Sequence, residues 1–182
     1  MASALGFALF PTAIGHCGIA WGEAALVGVQ LPEGDEAAGR ARMQRRFPAA
    51  AELPPPPRVQ AIIERVTATL TGTHDDLLDV PLDMSEVPPF NQRVLEAARR
   101  IPPGRFLTYG EMAAQLGEPG AARAVGQALG HNPFAPIVPC HRILAAGGKT
   151  GGFSANGGAQ TKMRMLEIEG AFSPDTLALF QK

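Results

Sequence analysis

The chain has 182 residues, of which 46% are hydrophobic and 18% charged, a balance that supports one or two compact domains and excludes a disordered polypeptide. Its 21 glycines and 17 prolines are too many for a coiled coil, and with no Gly-X-Y period they do not make a collagen-like chain either. The formal net charge of −1 hides an asymmetry, since residues 1–89 sum to −5 and residues 90–182 to +4; such blocks name no partner by themselves.

The first third reads as strands. Leu5, Phe7 and Leu9 alternate, as do Cys17, Ile19 and Trp21, and then Val27, Val29 and Leu31, with Gly22-Glu23 as a turn. A small antiparallel sheet is expected here. The Arg-rich stretch from Arg40 to Arg46 shows no apolar period and reads as irregular. After the run Pro54-Pro55-Pro56-Pro57, residues Val59, Ile62, Ile63, Val66 and Leu70 fall on one helical face closed by Gly72. The segment from His74 to Pro89, rich in Asp and Pro, reads as a connection and a domain boundary.

From Phe90 the pattern turns helical, with Val94, Ala97, Ala98 and Ile101 on one face before the break at Pro102-Pro103-Gly104. A short strand is expected at 105–107. Thr108 stands three residues before Glu111, the spacing of a capping box, and opens a helix that ends at Gly117. Pro119-Gly120 makes a turn, and a second short helix runs from Ala121 to Leu129, stopped by Gly130. Two short helices about a tight turn form a helix-turn-helix, a weak signal alone because many helical hairpins bind nothing. A last helix is expected from about Ala159 to Ile168, ending at Gly170. The expected class is α+β: a small N-terminal antiparallel sheet with a helix in residues 1–85, then a mainly helical C-terminal domain, 86–182, holding the helix-turn-helix and an active-site cysteine.

Cys17 and Cys140 are too far apart for a CxxC motif or a disulfide scaffold, which points to a reducing compartment. No uncharged apolar run is long enough to cross a membrane, and no basic residue precedes Arg40 as a secretory signal would require, so an intracellular protein is expected. Cys17 with His16 and His74 offers too few ligands at unsuitable spacing for zinc, so no metal site is expected. Met112, Met163 and Met165 read as core.

The most informative stretch runs from His131 to Ile143, where an apolar segment read as a strand delivers Cys140 between Pro139 and His141. A lone cysteine in an apolar run is usually buried and inert. Against that, His141 and Arg142 follow at once, and cationic neighbours make a thiol a nucleophile. Adjacent residues of an extended chain face opposite ways, so His141 is expected to reach the sulfur through water rather than directly. Its imidazole then needs an acceptor to fix the tautomer, and Glu167 and Glu169 on the last helix are both available. The second short helix, Ala122-Arg123-Ala124-Val125-Gly126, carries mostly methyl-sized side chains, which suit either tight helix packing or close approach to another backbone. Arg123 is its one long cation, near the end where backbone amides can face phosphates.

Thr108-Tyr109-Gly110-Glu111, Ala122-Arg123-Ala124-Val125-Gly126, Asn132-Pro133, Pro139-Cys140-His141-Arg142 and Ile168-Glu169-Gly170 together resemble the O6-alkylguanine-DNA alkyltransferases, the methylated-DNA–protein-cysteine methyltransferases. The resemblance is close from about Phe90 to Ala171 and architectural over the first half, where the family's domain is ribonuclease-H-like. It implies a suicide repair protein that flips a damaged guanine out of the duplex and moves the O6-alkyl group irreversibly to Cys140. It further implies that His141 is the water-linked base, Glu169 its orienting carboxylate, and Tyr109 the proton donor to N3 of the departing guanine. Arg123 would fill the gap left by the flipped nucleotide, with Thr108, Ala122, Ala124 and Gly126 also against DNA. Asn132, Val138, Pro139, Arg142, Phe153 and Ser154 would form the pocket, with the amides near Val138 and Cys140 bonding the base. After the cysteine the family commonly has an aromatic residue and a close Gly-Gly pair; here Phe153-Ser154-Ala155-Asn156-Gly157-Gly158 is longer, with phenylalanine where tyrosine is usual. No cofactor is implied. The implied partner is double-stranded DNA carrying a flipped O6-alkylguanine, with no membrane partner, and the protein is expected to be a monomer in the cytoplasm, on the nucleoid if the source is bacterial. A lesion-binding relative that does not repair would have lost the cysteine. A cysteine hydrolase would leave Tyr109 and Arg123 unexplained, and a helix-turn-helix regulator would need a dimerisation helix that the chain does not show.

Overall fold

The computed structural model describes residues 3–145 and 158–172. Strands β1 (Gly6–Thr12), β2 (Gly15–Trp21), β3 (Leu26–Gln30) and β4 (Ala51–Glu52) form one sheet in the order β3-β2-β1-β4. The first three pair antiparallel, and the two-residue β4 adds to β1 in parallel. Opposite pairs such as Phe7 with Ala20 and Phe10 with Cys17 give each strand two distinct faces. Phe7 and Ala20 pack on Met43, while Phe10, Cys17, Ile19 and Trp21 pack with Val59, Ile62, Ile63 and Val66 of helix α2 (Pro57–Thr69). The alternations of Phe7 with Leu9 in β1 and of Cys17, Ile19 and Trp21 in β2 are therefore as expected, whereas Leu5 precedes β1 and is exposed. In β3 the alternation fails. Trp21 pairs with Leu26 and Ala20 with Gly28, so Val27 is an extra residue, and this bulge turns Leu26 and Val29 to the same core while Val27 faces the other.

The Arg-rich stretch is helix α1 (Glu36–Arg46), contrary to the irregular segment expected there. Only Gly39 and Met43 are buried along it, too narrow a stripe to register as a period. Its ends carry the signal instead: the Asp35 carboxylate accepts from the Ala38 amide at 2.9 Å, Glu36 lies in the first turn and Arg45 and Arg46 in the last, all favourable to the helix dipole. The 74–88 connection has no helix, but Leu77 and Val80 are buried and Arg65 grips both Asp75 and Asp79 at 2.8 Å.

In the second half, α3 (Pro89–Arg99), α4 (Tyr109–Gln115) and α5 (Ala122–Gly130) pack together. Two short parallel strands, β5 (Leu107–Thr108) and β6 (Ile143–Leu144), and a last helix, α6 (Ala159–Ile168), complete the described fold. The short strand thus begins two residues later than expected. The Thr108 hydroxyl caps α4 by accepting from the Glu111 amide at 3.1 Å, and it donates to the Glu111 carboxylate, which takes the hydroxyl proton rather than reaching back to a backbone amide. One apolar core runs from Ala8 and Ile19 through Val94, Met112 and Val125 to Ile143 and Met165, so both halves of the chain contribute to it.

Candidate active site

The segment that delivers Cys140 is not a strand. Pro133, Pro136 and Pro139 each lack an amide hydrogen and cannot hold a ladder, so residues 133–139 run as turns with one isolated bridge, Phe134 to Val29. Asn132 locks this path: its amide nitrogen donates to the Val138 carbonyl and its oxygen accepts from the Phe134 amide, both at 2.9 Å. Cys140, His141 and Arg142 then form one turn of 3-10 helix ahead of β6. Cys140 is 9% exposed. Burial pushes its thiol up, opposed by a hydrogen bond from Asn132 and the charge of Lys162, and the thiol stays on the high side of its ordinary value.

His141 is 2% exposed, and its Nε2 lies 2.7 Å from Glu169 Oε1. Its Nδ1 is buried with no partner among the described residues. Between the two acidic candidates the structure selects Glu169, which stands just past the end of α6, whereas Glu167 points outward. Burial pushes the His141 imidazole down against the pull of Glu169, so it rests neutral. Arg142, expected in the pocket wall, turns away from it. Its guanidinium grips Glu169 at 2.6–3.1 Å and donates to the Ile101 carbonyl at 2.7 Å, because a buried cation needs a carboxylate. Burial raises the Glu169 carboxyl, yet the bonds from His141 and Arg142 outweigh it and hold the group at about 2.

Two further groups have partners inside the fold. The amides of Val138 and Cys140 are engaged within the turn, donating to Phe134 and Val138 carbonyls at 3.0 and 2.9 Å, rather than offered to a base. Thr108 spends its hydroxyl on the cap of α4. Tyr109 opens that helix, and burial and the neighbouring Cys140 raise its phenol, which keeps it protonated. A methyl placed on Gly126 would come within 3.9 Å of the Tyr109 ring, so the small residues of α5 let the helix lie close to the tyrosine. Arg123 is exposed on the second residue of α5, between the half-buried Ala122 and Ala124, and Ala121 leaves that helix without a side-chain cap. Pro139 is buried beside the cysteine; Phe153 and Ser154 lie outside the described residues.

Residues 89–171 match the model of the 6-O-methylguanine DNA methyltransferase DNA-binding domain. A methylated-DNA–protein-cysteine methyltransferase of Mycobacterium tuberculosis is 44% identical over 127 residues, covering 70% of this chain and 74% of the relative. The chain belongs to the methylated-DNA–protein-cysteine methyltransferase family. One of Methanothermobacter thermautotrophicus is 31% identical over 153 residues, 84% of this chain and 78% of its own. The fold agrees along nearly the whole chain: the crystal structure of M. tuberculosis OGT in complex with DNA superposes with a TM-score of 0.73 at 34% identity, covering 96% of this chain and 98% of that one.

The methyltransferase site contains one residue that sequence reasoning passed over. Lys162 is 1% exposed on α6, its Nζ 5.6 Å from the centre of the Tyr109 ring, and burial pushes its ammonium down to about 8. The signal was present: Lys162, Met165, Leu166 and Glu169 fall at i, i+3, i+4 and i+7, so the lysine occupies the buried stripe of its helix. No group of three or more metal-ligating side chains occurs among the described residues, nor is any helix there long and apolar enough to cross a membrane.

Proposed function

We propose that Cys140 is the acceptor in the family's reaction, repair of O6-alkylguanine in DNA by alkyl transfer, and that each molecule acts once. The observation that carries this reading is the His141–Glu169 pair at 2.7 Å with a buried Nδ1 that has no partner among the described residues. With Nε2–H donated to the carboxylate, the lone pair of Nδ1 is free to take a proton. The raised thiol needs such a base, and a single water between Sγ and Nδ1 would carry the proton. The thiolate then bonds the alkyl carbon, the carbon–O6 bond breaks with its electron pair staying on the guanine, and the Tyr109 phenol protonates N3 as the base departs. A thioether has no leaving group that water displaces, so the protein is spent.

The implied route to the site is a base flipped from double-stranded DNA. The exposed Arg123 would occupy the vacated space while the uncapped start of α5 faces a phosphate. In this reading residues 86–182 bind DNA and carry out transfer, residues 1–85 support them, and the protein works as a monomer in the cytoplasm. Incubation with a duplex containing O6-methylguanine should add one methyl mass per chain, on the Cys140 peptide, and Cys140→Ser should add none. Continued demethylation of excess duplex, or methyl on the Ser variant, would overturn the assignment.

A further inference from the structure

Helix α6 ends at Glu169, and the last carbonyls of a helix find no partner within it. Those of Leu166 and Glu167 are served by the next turn of chain, the amides of Ala171 and Gly170 donating at 3.0 Å. The Glu169 carbonyl is served from the other half of the molecule. His74, exposed in the 74–88 connection, has its Nε2 3.0 Å from that oxygen, and because a carbonyl has no proton to give, the imidazole donates. Gly104, at φ +85°, leaves the room: a Cβ there would stand 3.6 Å from the His74 ring and 3.4 Å from the Glu169 oxygen. The connection around His74 is pinned in turn. Arg65 donates twice to the Asp75 carboxylate, at 2.8 and 2.9 Å, and the Leu77 amide adds a third bond at 3.0 Å. Leu77 has φ 55°, a left-handed backbone that side-chain-bearing residues rarely adopt, and Arg99 secures it by donating to the Leu77 and Val80 carbonyls at 2.8 and 2.9 Å. The buried Leu77 lines a cavity of about 20 Å³ together with His141, Arg142 and Glu169, room for no more than one water, so the connection packs tightly behind the His141–Glu169 pair.

We propose that His74 is a positioning residue for alkyl transfer: by tying the backbone of Glu169 it sets where the carboxylate meets His141, a role that rests on His141 being the base for Cys140. Arg142 holds the carboxylate end of Glu169 through Nε and Nη2. His74 holds the backbone end, and with both ends fixed Oε1 stays 2.7 Å from His141 Nε2. Without the His74 bond the end of α6 is free to fray, as helix ends do. The imidazole of His141 then spends time without the acceptor that keeps its proton on Nε2 and the lone pair on Nδ1, where the thiol proton must go. His74 touches no reacting atom and bonds α6 rather than α5, so its effect falls on the chemical step and not on the hold on DNA.

The test measures single-turnover methyl transfer from a duplex containing O6-methylguanine, with the mass of the Cys140 peptide, the affinity for the same duplex and the folded fraction read alongside. His74→Ala should slow transfer about fivefold, the worth of one ordinary hydrogen bond expressed as a rate, in a protein that stays folded and binds the duplex as the parent does. His74→Gln, whose amide nitrogen donates from nearly the place of Nε2, should return most of the rate. His74→Leu, which fills the space but has no donor, should remain slow. Reaction with free O6-benzylguanine should be slowed alike, since the defect lies in the base and not in flipping. A rate for His74→Ala within about twofold of the parent, or equal slowing of all three variants, would overturn the positioning role while methyl on Cys140 left the acceptor assignment intact. Slowing that followed a loss of duplex affinity and vanished with the free base would assign His74 to DNA binding and overturn it as well. Absence of methyl from Cys140 in the parent would overturn both readings.

Discussion

Replacing Glu169 by glutamine strikes a buried carboxylate held by two side chains. The carboxylate accepts His141 Nε2 at 2.7 Å and Arg142 through Nε and Nη2, and the side chains of Arg142 and Glu169 are only 7% and 10% exposed. Its carboxyl is held at about 2 against an ordinary 4.5; at about 1.4 kcal/mol for each tenfold change in proton affinity, the folded state gains about 3 kcal/mol from the ionised form. Removing one partner of a buried pair strands the other, and costs of about 3–5 kcal/mol are usual. Urea denaturation of Glu169→Gln at pH 7 should therefore show a loss of about 3 kcal/mol. Because the folded carboxyl is depressed, its contribution is complete above the unfolded value and is lost as pH falls from 4.5 toward 2, so the gap between parent and variant should close over that window. Adding Arg142→Met should restore much of the stability without restoring alkyl transfer, since the imidazole still lacks its carboxylate. A loss under about 1 kcal/mol at pH 7, or a gap that ignores acid, would mean that the Glu169 charge does not hold this part of the fold.

Arg123→Ala should slow transfer from duplex DNA more than from free O6-benzylguanine, which needs no flipping; equal slowing would make the arginine structural. Gly28→Ala should cost about 1–3 kcal/mol in thermal or urea denaturation, because the added carbon would stand 2.5 Å from Phe47 and 2.8 Å from Arg46. Thr108→Ala should destabilise by about 1 kcal/mol through loss of the α4 cap, and Thr108→Ser should recover most of it. DNA affinity should fall with salt at a slope matching only about 2–5 phosphates. Neutralising the exposed Arg45 should leave that slope unchanged; Arg46 is unsuited to this test because it braces Pro133.

The parts legible along the chain are those whose cause is local. The α2 face of Val59, Ile62, Ile63 and Val66, the strands around Phe7 and Ile19, the stops at Gly72 and Gly117, and the Thr108 cap all follow from spacing within one element, and the structure has them. Cys140 beside His141 was legible as chemistry because the two are adjacent. Helix α1 escaped because a stripe of two buried residues carries no period, although Asp35, Glu36, Arg45 and Arg46 mark its ends. The β3 bulge escaped because a register shift exists only between paired strands. Only tertiary structure chose Glu169 over Glu167, turned Arg142 inward to meet it, buried Lys162 under Tyr109 and brought Arg42 and Arg46 to the cavity of Cys140. All but the partly exposed Arg42 are charges taken largely out of water. Where such a charge goes depends on which partner reaches it across the fold, as Arg46 does to Pro133 over 87 residues, and no pattern within one element records that distance.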